Sequence, residues 1–265
     1  MDLEVLVATV RQSDFSLVEK MNLTKSAVIA NQCGRWGYDQ LDADFGTVRM
    51  ISSDTVGVGI NRNLALLNAK ADYLLFADDD IRYYDGALDG VEQAFKQLPD
   101  ADVIFFAIDM TKNGEVFDKR RHATKRLYVW NSLRYGTCRM AVRREAVVKN
   151  CISFSTLFGG GSIYSSGEDS LFILDCFRAG LKVYSHELVL GGCTKDESSW
   201  FTGFNEKFMF DKGAFIACGF PYTKHIVKWH FIRRYAKKTS LPLKTVIKCV
   251  NQGIKAFPAL KGWER

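Results

Sequence analysis

The sequence lacks the features of a disulfide-rich secreted protein, a zinc-ribbon protein and a membrane-spanning protein. Its seven cysteines are scattered, and no two form a Cys-x-x-Cys pair, which favours reduced thiols over a disulfide framework or a zinc site. No apolar stretch is long enough to cross a bilayer. The start, Met-Asp-Leu-Glu, has no basic leader. We therefore expect a cytoplasmic protein.

Prolines are also few, four in 265 residues, and apolar runs alternate with helix-spaced segments. Predicted strands cover Leu3–Val10, Ala27–Ala30, Val48–Ile51, Tyr73–Phe76, Val103–Ile108 and Val183–Ser185. Predicted helices begin near Ser13, Asn61, Asp85 and Ser170. The alternation predicts an α/β fold with a mostly parallel central sheet and helices on both faces. Tyr128–Val142 is predicted to hold two further strands around Gly136.

Positive charge is concentrated near the C-terminus. From Lys224 to Arg265 there are eleven Lys and Arg and one acid, whereas the rest of the chain is slightly acidic. We predict a domain over residues 1–220 and a basic amphipathic helical appendage over 221–265. Two interpretations of the appendage stay open: contact with an anionic membrane surface, or packing on the main domain or on a second copy of the chain. No nucleic-acid recognition motif accompanies the charge, so nucleic acid is not expected as a partner.

Three consecutive carboxylates follow the apolar run Tyr73–Phe76. Such a run is typical of a strand buried on both faces. Side chains alternate along extended backbone, so Asp78 and Asp80 would share one face and Asp79 the other. Open α/β sheets bind ligands at the carboxyl ends of their strands, and carboxylates that would otherwise repel suit a divalent cation with a phosphorylated ligand. A solvated acidic turn is the alternative.

Two further segments can also be interpreted in two ways. Gly57–Asn63 places glycines beside a helix start, with Arg62 in the first turn, and could hold a diphosphate or simply form a turn with positive φ. Glu168 and Asp169 follow Gly167 at a predicted helix start, where carboxylates can cap the helix or act as a general base.

Residues farther along the chain carry weaker signals. Lys195 and Asp196 could close over a diphosphate or be ordinary surface, and His225 and His230 could supply a metal ligand or belong to the basic appendage. The aromatic residues Trp130, Trp200, Phe201 and Phe204 could stack on sugars, although core packing is the usual role of such rings.

Three ordered motifs together resemble the family 2 glycosyltransferases of the GT-A fold. They are Arg62-Asn-Leu-Ala65, Ala71-Asp-Tyr-Leu-Leu-Phe-Ala-Asp-Asp-Asp80 and Gly167-Glu-Asp-Ser-Leu-Phe172 with Gly180. The resemblance extends over roughly residues 3 to 190. The opening Leu3–Thr9 and Asn31-Gln-Cys33 resemble a bacterial subgroup that acts on surface glycans.

The resemblance implies a role for each matching residue. Asp169 would be the catalytic base, with Glu168 beside it and near the acceptor. Asp80 would bind Mn²⁺ or Mg²⁺, and Asp78 would approach the metal or the ribose. The nucleotide would contact Thr9, Arg11, Asn31, Arg62, Asp78 and Asp79. The family's usual aspartate at the end of the second strand is replaced by Asn31, which leaves the identity of the base open.

The implied activity is an inverting, metal-dependent transfer of one sugar from a UDP-sugar, or another nucleotide sugar, to a hydroxyl group of a glycan or lipid-linked glycan. The Gln-x-x-Arg-Trp motif of processive members is absent, and the implied pathway is synthesis of bacterial surface polysaccharide or glycoprotein glycan. A sugar nucleotidyltransferase and a non-catalytic membrane- or glycan-binding scaffold are the alternatives. The first would need a glycine-rich, basic signature after strand one, which Ala8–Gln12 does not supply. We expect the two acidic stretches, around Asp78 and Asp169, to meet at one pocket.

Overall fold

The computed structural model describes residues 2–112, 115–118, 122–194 and 203–257. Its strands are β1 Leu3–Val10, β2 Ala27–Gln32, β3 Gly37–Ala43, β4 Gly46–Ser53, β5 Tyr73–Asp78, β6 Ile81–Tyr83, β7 Val103–Lys112, β8 Glu115–Asp118, β9 Lys125–Arg126, β10 Met140–Arg143 and β11 Val183–Thr194. Its helices are α1 Leu17–Lys20, α2 Val58–Asn68, α3 Ala87–Gln97, α4 Val129–Ser132, α5 Arg144–Lys149, α6 Glu168–Arg178, α7 Glu206–Gly219, α8 Lys224–Tyr235 and α9 Leu243–Ala256. A 3₁₀ turn covers Thr137–Arg139.

One sheet has the strand order β3-β4-β2-β1-β5-β10-β7-β11-β6. Strands β4, β2, β1 and β5 run parallel, as do β7 and β11. Strand β10 lies antiparallel between β5 and β7 and joins the two parallel sets. The α/β fold with a mostly parallel sheet is therefore confirmed.

Alternating side chains of the central strands supply a core on each face of the sheet. On one face, Val5 and Val7 of β1 pack with Leu88 and Phe95 of α3. On the other, Leu6 of β1 belongs to the cluster that contains Ala65 and Leu66 of α2 with Phe172 and Ile173 of α6. Burial on both faces explains why β1 and β5 have continuous apolar sequences. It also fixes α2 and α6 over the same face, beside the carboxyl end of β5.

The structure adds one strand that the sequence analysis did not predict and changes one predicted segment. The polar segment after β2 forms β3, an edge strand paired with β4 through a two-residue turn, and most of its side chains are exposed. The prediction of two strands within Tyr128–Val142 is wrong for the first part, which forms α4 and the 3₁₀ turn. The amide side chain of Asn131 accepts a hydrogen bond from the Tyr128 N–H at 2.9 Å, and such local bonds compete with strand pairing.

The basic appendage consists of α8 and α9, which pack with α7 and α6 in a third apolar cluster. The backbones of α7 and α9 are in direct contact, because a Cβ on Gly253 would lie 1.9 Å from the Phe210 carbonyl oxygen and one on Gly213 would lie 2.2 Å from the Val250 carbonyl oxygen. The appendage thus packs on the main domain, as the second interpretation predicts. Contact with a membrane, and a domain boundary at residue 220, stay predictions. No helix in the described part of the chain is long and apolar enough to cross a membrane.

Candidate active site

The parallel strands bring several predicted residues to one edge of the sheet. Thr9 at the end of β1 is in register with Asn31 of β2, and Ala8 is in register with Asp78 of β5. Helix α6 begins at Glu168, immediately after Gly167, whose φ of 130° is in the region that favours glycine. Its first turn carries Asp169 to the same edge.

Arg62 of α2 connects the two acidic stretches. Its side chain is only 7% exposed, and its Nη2 lies 3.0 Å from the Asp78 Oδ1. Its Nη1 lies 2.8 Å from the Asp169 Oδ1 and 3.2 Å from the Glu168 Oε1. The two acidic stretches therefore meet at one guanidinium group. A substrate pocket between them stays a prediction.

The charges in this cluster shift one another's protonation. Burial opposes the charged form of Arg62, but the three carboxylates outweigh it and raise the Arg62 pKa above its ordinary value. Burial, and then the charge of Asp169, raise the pKa of Glu168 to about 7, although Arg62 opposes that shift. Near neutral pH, Glu168 is therefore partly protonated, whereas an ordinary glutamate is ionised.

Asp169 has a second partner that the sequence did not reveal. The Thr137 Oγ1 donates to the Asp169 Oδ1 at 2.5 Å, and the Thr137 N–H donates to the Asp169 Oδ2 at 3.3 Å. The side chain of Asp169 still keeps 30% of its exposure. Thr137 and Arg62 thus fix the orientation of a carboxylate that solvent can reach. Thr137 lies in an irregular segment with no periodic signal, and the neighbouring Gly136 is the one local hint in the sequence.

Thr9 and Arg11 lie at the end of β1, where the resemblance places a nucleotide. The Thr9 hydroxyl donates to the Asp79 carboxylate, which orients Asp79 toward β1. Arg11 is exposed and has a φ of 54°, which is uncommon for a residue other than glycine. Its N–H donates to the Gln32 carbonyl at 3.0 Å. Nucleotide contact by Thr9, Arg11 and Asp79 stays a prediction.

Asn31 is in the predicted region, but its side chain is fully buried. Its Oδ1 accepts from the Gln12 N–H at 2.9 Å, and its Nδ2 donates to the Gln12 carbonyl at 2.8 Å. The Nδ2 also lies 3.2 Å from the Ser52 Oγ. These bonds hold the segment after β1 onto β2. The arrangement gives Asn31 a structural role, and nucleotide contact by Asn31 stays a prediction.

The predicted metal ligands are two carboxylates, those of Asp78 and Asp80. Asp80 is exposed as a residue, but protein atoms around its carboxyl group partly desolvate it. This desolvation, and then the charge of Asp78, raise the pKa of the carboxyl. Within the described residues, no three His, Cys, Asp or Glu side chains are grouped so that they could hold a metal ion. A two-carboxylate donor set of this kind suits Mg²⁺ or Mn²⁺ when phosphate oxygens of a substrate complete the shell.

The glycine segment before α2 is a turn rather than an open phosphate loop. Gly57 has a φ of 119°, and the Val58 N–H donates to the Gly160 carbonyl at 2.9 Å. A Cβ on Gly161 would lie 3.2 Å from the Gly57 Cα. The glycine-rich segment 159–161 therefore covers this helix start, and the Val58 amide is not available to a diphosphate.

Of the weaker candidates, Trp130 does not pack in the core. It is 81% exposed and stacks on Tyr128 with ring centroids 5.0 Å apart. His225 and His230 lie on α8, within the appendage. Lys195, Asp196, Trp200 and Phe201 lie outside the described residues. Phe204 contacts Phe208 and Tyr235 in the third apolar cluster.

A parallel sheet interrupted by one antiparallel strand, with acidic residues after β5 and at the start of α6, is the architecture of the GT-A glycosyltransferases. The family model of glycosyl transferase family 2 matches residues 38–157. The match covers a little under half of the chain, and over that segment it confirms the resemblance drawn from the motifs around Arg62 and Asp78. The matched segment includes Arg62, Asp78 and Asp80 and ends before Glu168.

Solved structures of S. aureus TarS share the fold. TarS 1–349 in complex with UDP-GlcNAc has a TM-score of 0.60 and 15% identity, covering 98% of this chain and 73% of that one. TarS 1–349 in complex with UDP has a TM-score of 0.62 and 15% identity, covering 97% of this chain and 83% of that one. A further structure of TarS has a TM-score of 0.61 and 16% identity, covering 97% of this chain and 50% of that one. At these identities the likeness concerns the fold alone. No curated protein matches the sequence.

Proposed function

We propose that this protein is an inverting, metal-dependent glycosyltransferase that moves one sugar from a nucleotide sugar to a hydroxyl group of a glycan. The contact of Arg62 with both Asp78 and Asp169 is the observation that carries the proposal. It brings a donor-side carboxylate and a candidate base within the reach of one guanidinium, although they lie on different elements. Both carboxylates keep exposed surface, 39% and 30% respectively, so substrates can approach them.

In the proposed reaction Asp169 accepts the proton of the acceptor hydroxyl as that oxygen attacks the anomeric carbon. The new C–O bond forms as the bond from the anomeric carbon to the diphosphate oxygen breaks, so the electron pair leaves with the nucleotide diphosphate. A single displacement inverts the configuration. Thr137 orients the base, and the positive charge of Arg62 stabilises the negative charge that accumulates on the leaving group.

Asp78 and Asp80 would hold the divalent cation. The cation, when bound, would offset charge on the diphosphate. The mutual repulsion of the two carboxylates supports this assignment, because the charge of Asp78 contributes to the raised pKa of Asp80 and a bound cation would remove that penalty.

The proposed donor is a UDP-sugar. The TarS structures in complex with UDP-GlcNAc and UDP support this choice. The proposed donor contacts are Thr9 and Arg11 at the end of β1 and Asp79, whose carboxylate accepts a hydrogen bond from the Thr9 hydroxyl. The proposed acceptor is a glycan or lipid-linked glycan of the bacterial surface. The reaction would then take place on the cytoplasmic side of the membrane, with the exposed basic side chains of α8 as the membrane contact or as a contact between copies of the chain.

Replacement of Asp169 with Asn tests the proposal. The asparagine keeps the shape and loses the proton acceptor, so release of UDP from a UDP-sugar in the presence of acceptor should fall by about 10²- to 10⁴-fold. UDP binding, measured by calorimetry, should be retained. Asp175→Asn on the same helix is the matched control, because its partner Arg178 is at the surface.

A nucleotidyltransferase would instead release diphosphate from a nucleoside triphosphate and a sugar phosphate, and a scaffold would show no turnover that depends on Asp169. Either result would reject the glycosyltransferase proposal.

A further inference from the structure

A cavity of about 750 Å³ lies beside the start of α6, within the size range of small-ligand sites. Its lining includes Ser165 and Ser166, which directly precede Gly167 and the carboxylates of the candidate active site. The other walls come from the segments 160–163 and 203–205, from α7, and from Tyr235 and Lys238 at and just after the end of α8. The lining includes three lysines: Lys207, Lys212 and Lys238.

Lys212 lies between this cavity and the carboxylates. Its Nζ is 3.1 Å from the Ser166 Oγ and 5.0 and 5.6 Å from the ring centroids of Phe208 and Phe215. Burial lowers its pKa to about 8, and the charges of Glu168 and Asp211 oppose that shift. The ammonium is therefore mostly charged at neutral pH, in surroundings where an additional anion would stabilise it.

The other two lysines differ in how their charges are balanced. Lys207 is 2.6 Å from the Oδ1 of Asp211, a buried carboxylate that also accepts from the Ser165 N–H at 2.9 Å. Lys238 lies over the rings of Phe204 and Tyr235, at 5.7 and 5.9 Å. No acidic partner for Lys238 occurs in the described ranges. Lys212 and Lys238 together thus leave two positive charges facing the cavity, beside the serine hydroxyls.

We propose that this cavity is a subsite for a phosphate group carried by the acceptor. The inference rests on the proposed function. Ser166 lines the cavity and lies three residues before Asp169, the proposed base for the acceptor hydroxyl. A phosphate ester with about two negative charges matches the two ammonium groups that form no ion pair among the described residues, and lysine binds phosphate as a point charge. Serine hydroxyls donate to phosphate oxygens as well.

Titration calorimetry with inorganic phosphate, performed on the whole chain saturated with UDP, tests the subsite. Lys238→Gln and Lys212→Gln should each weaken phosphate binding by about tenfold, since each removes a charged contact. Lys237→Gln is the matched control: it removes the same charge from the neighbouring position, which lines a different cavity. Lys238 is exposed, so its variant keeps the test valid if the Lys212 variant does not fold.

Two probes identify the source of the phosphate. Glycerol 3-phosphate represents a soluble ester, and vesicles containing phosphatidylglycerol represent a lipid headgroup. If binding of one probe weakens in Lys238→Gln but not in Lys237→Gln, that result supports the subsite and identifies the class of phosphate compound that it binds. Equal weakening in both variants, or no change in either, overturns it.

Competition with UDP separates this inference from the proposed function. Displacement of phosphate by UDP would place the anion at the donor site and end the subsite proposal, while the glycosyltransferase proposal would stand. Absence of UDP binding would reject the glycosyltransferase proposal, whereas phosphate binding that depends on Lys238 would persist.

Discussion

Arg62 and Asp169 lie 107 positions apart in the sequence and are joined by an ion pair of 2.8 Å. The pair holds helix α2 to the first turn of α6 across the edge of the sheet. It also means that the candidate base has a buried positive partner before any substrate binds. The following predictions test what this cluster and its surroundings do.

Removal of the Arg62 charge should destabilise the fold. Arg62→Met leaves Asp78, Glu168 and Asp169 without their shared partner, and breaking a buried ion pair costs about 3 kcal/mol. Urea unfolding measures the loss. Lys182→Met is the control, because Lys182 and Asp100 are each 45% exposed and solvent-exposed ion pairs contribute little to stability. Similar losses in the two variants would contradict the assigned role of Arg62.

Thr137 should affect turnover more than donor binding. Thr137→Val removes the hydroxyl that donates to Asp169 and keeps the shape, so kcat should fall by about tenfold while KM for the nucleotide sugar changes little. Thr137→Ser restores the hydroxyl and should recover most of the rate. A rise in KM with unchanged kcat would show that Thr137 does not position the base.

Glu168 should make the folded state less stable as the pH rises. Its folded-state pKa of about 7 is above its ordinary value of 4.5, so the native protein binds more protons than the unfolded chain between these values. The Glu168 contribution is thus fully present below pH 4.5 and is lost as the pH rises through 7. The difference in unfolding free energy between the wild type and Glu168→Gln should shift in favour of the variant from pH 5 to pH 8. A constant difference would contradict the raised pKa.

The Asp80 carboxylate should make the affinity for UDP depend on the metal ion. Calorimetry with UDP should show binding that is at least about tenfold tighter with Mn²⁺ than without it. Asp80→Asn should abolish that dependence and leave metal-free UDP binding unchanged. Equal UDP affinity with and without Mn²⁺ in the wild type would remove the metal assignment.

The close contact between α7 and α9 should not tolerate a side chain. Gly253→Ala would place a Cβ 1.9 Å from the Phe210 carbonyl oxygen, and overpacking of this kind costs about 1–3 kcal/mol. Gly90→Ala in α3 is the control, because its Cβ would meet the flexible end of Leu188 and alanine favours the helix by up to about 1 kcal/mol. In urea unfolding, Gly253→Ala should lower the free energy of unfolding and Gly90→Ala should raise it.

The sequence predicted the elements whose signals are local. The apolar run Tyr73–Phe76 is a buried strand, and Glu168 and Asp169 begin a helix, because burial on both faces and helix capping each leave a direct pattern. Strand β3 was missed because its exposed residues, such as Gln40 and Asp42, resemble a loop. No local pattern could predict the contacts of Arg62 and Thr137 with Asp169, because they depend on how α2, α6 and the segment after α4 pack together.

The direct contact between Gly213 and Gly253 has a consequence for how the molecule forms during synthesis. Helix α7 carries Lys212 and can bury its inner face only after α9 has left the ribosome, since α9 supplies Val246 and Val250 of the third apolar cluster. The sheet, by contrast, can pair β1 with β5 much earlier. The nascent chain should therefore complete its acidic edge first and its lysine-lined cavity last.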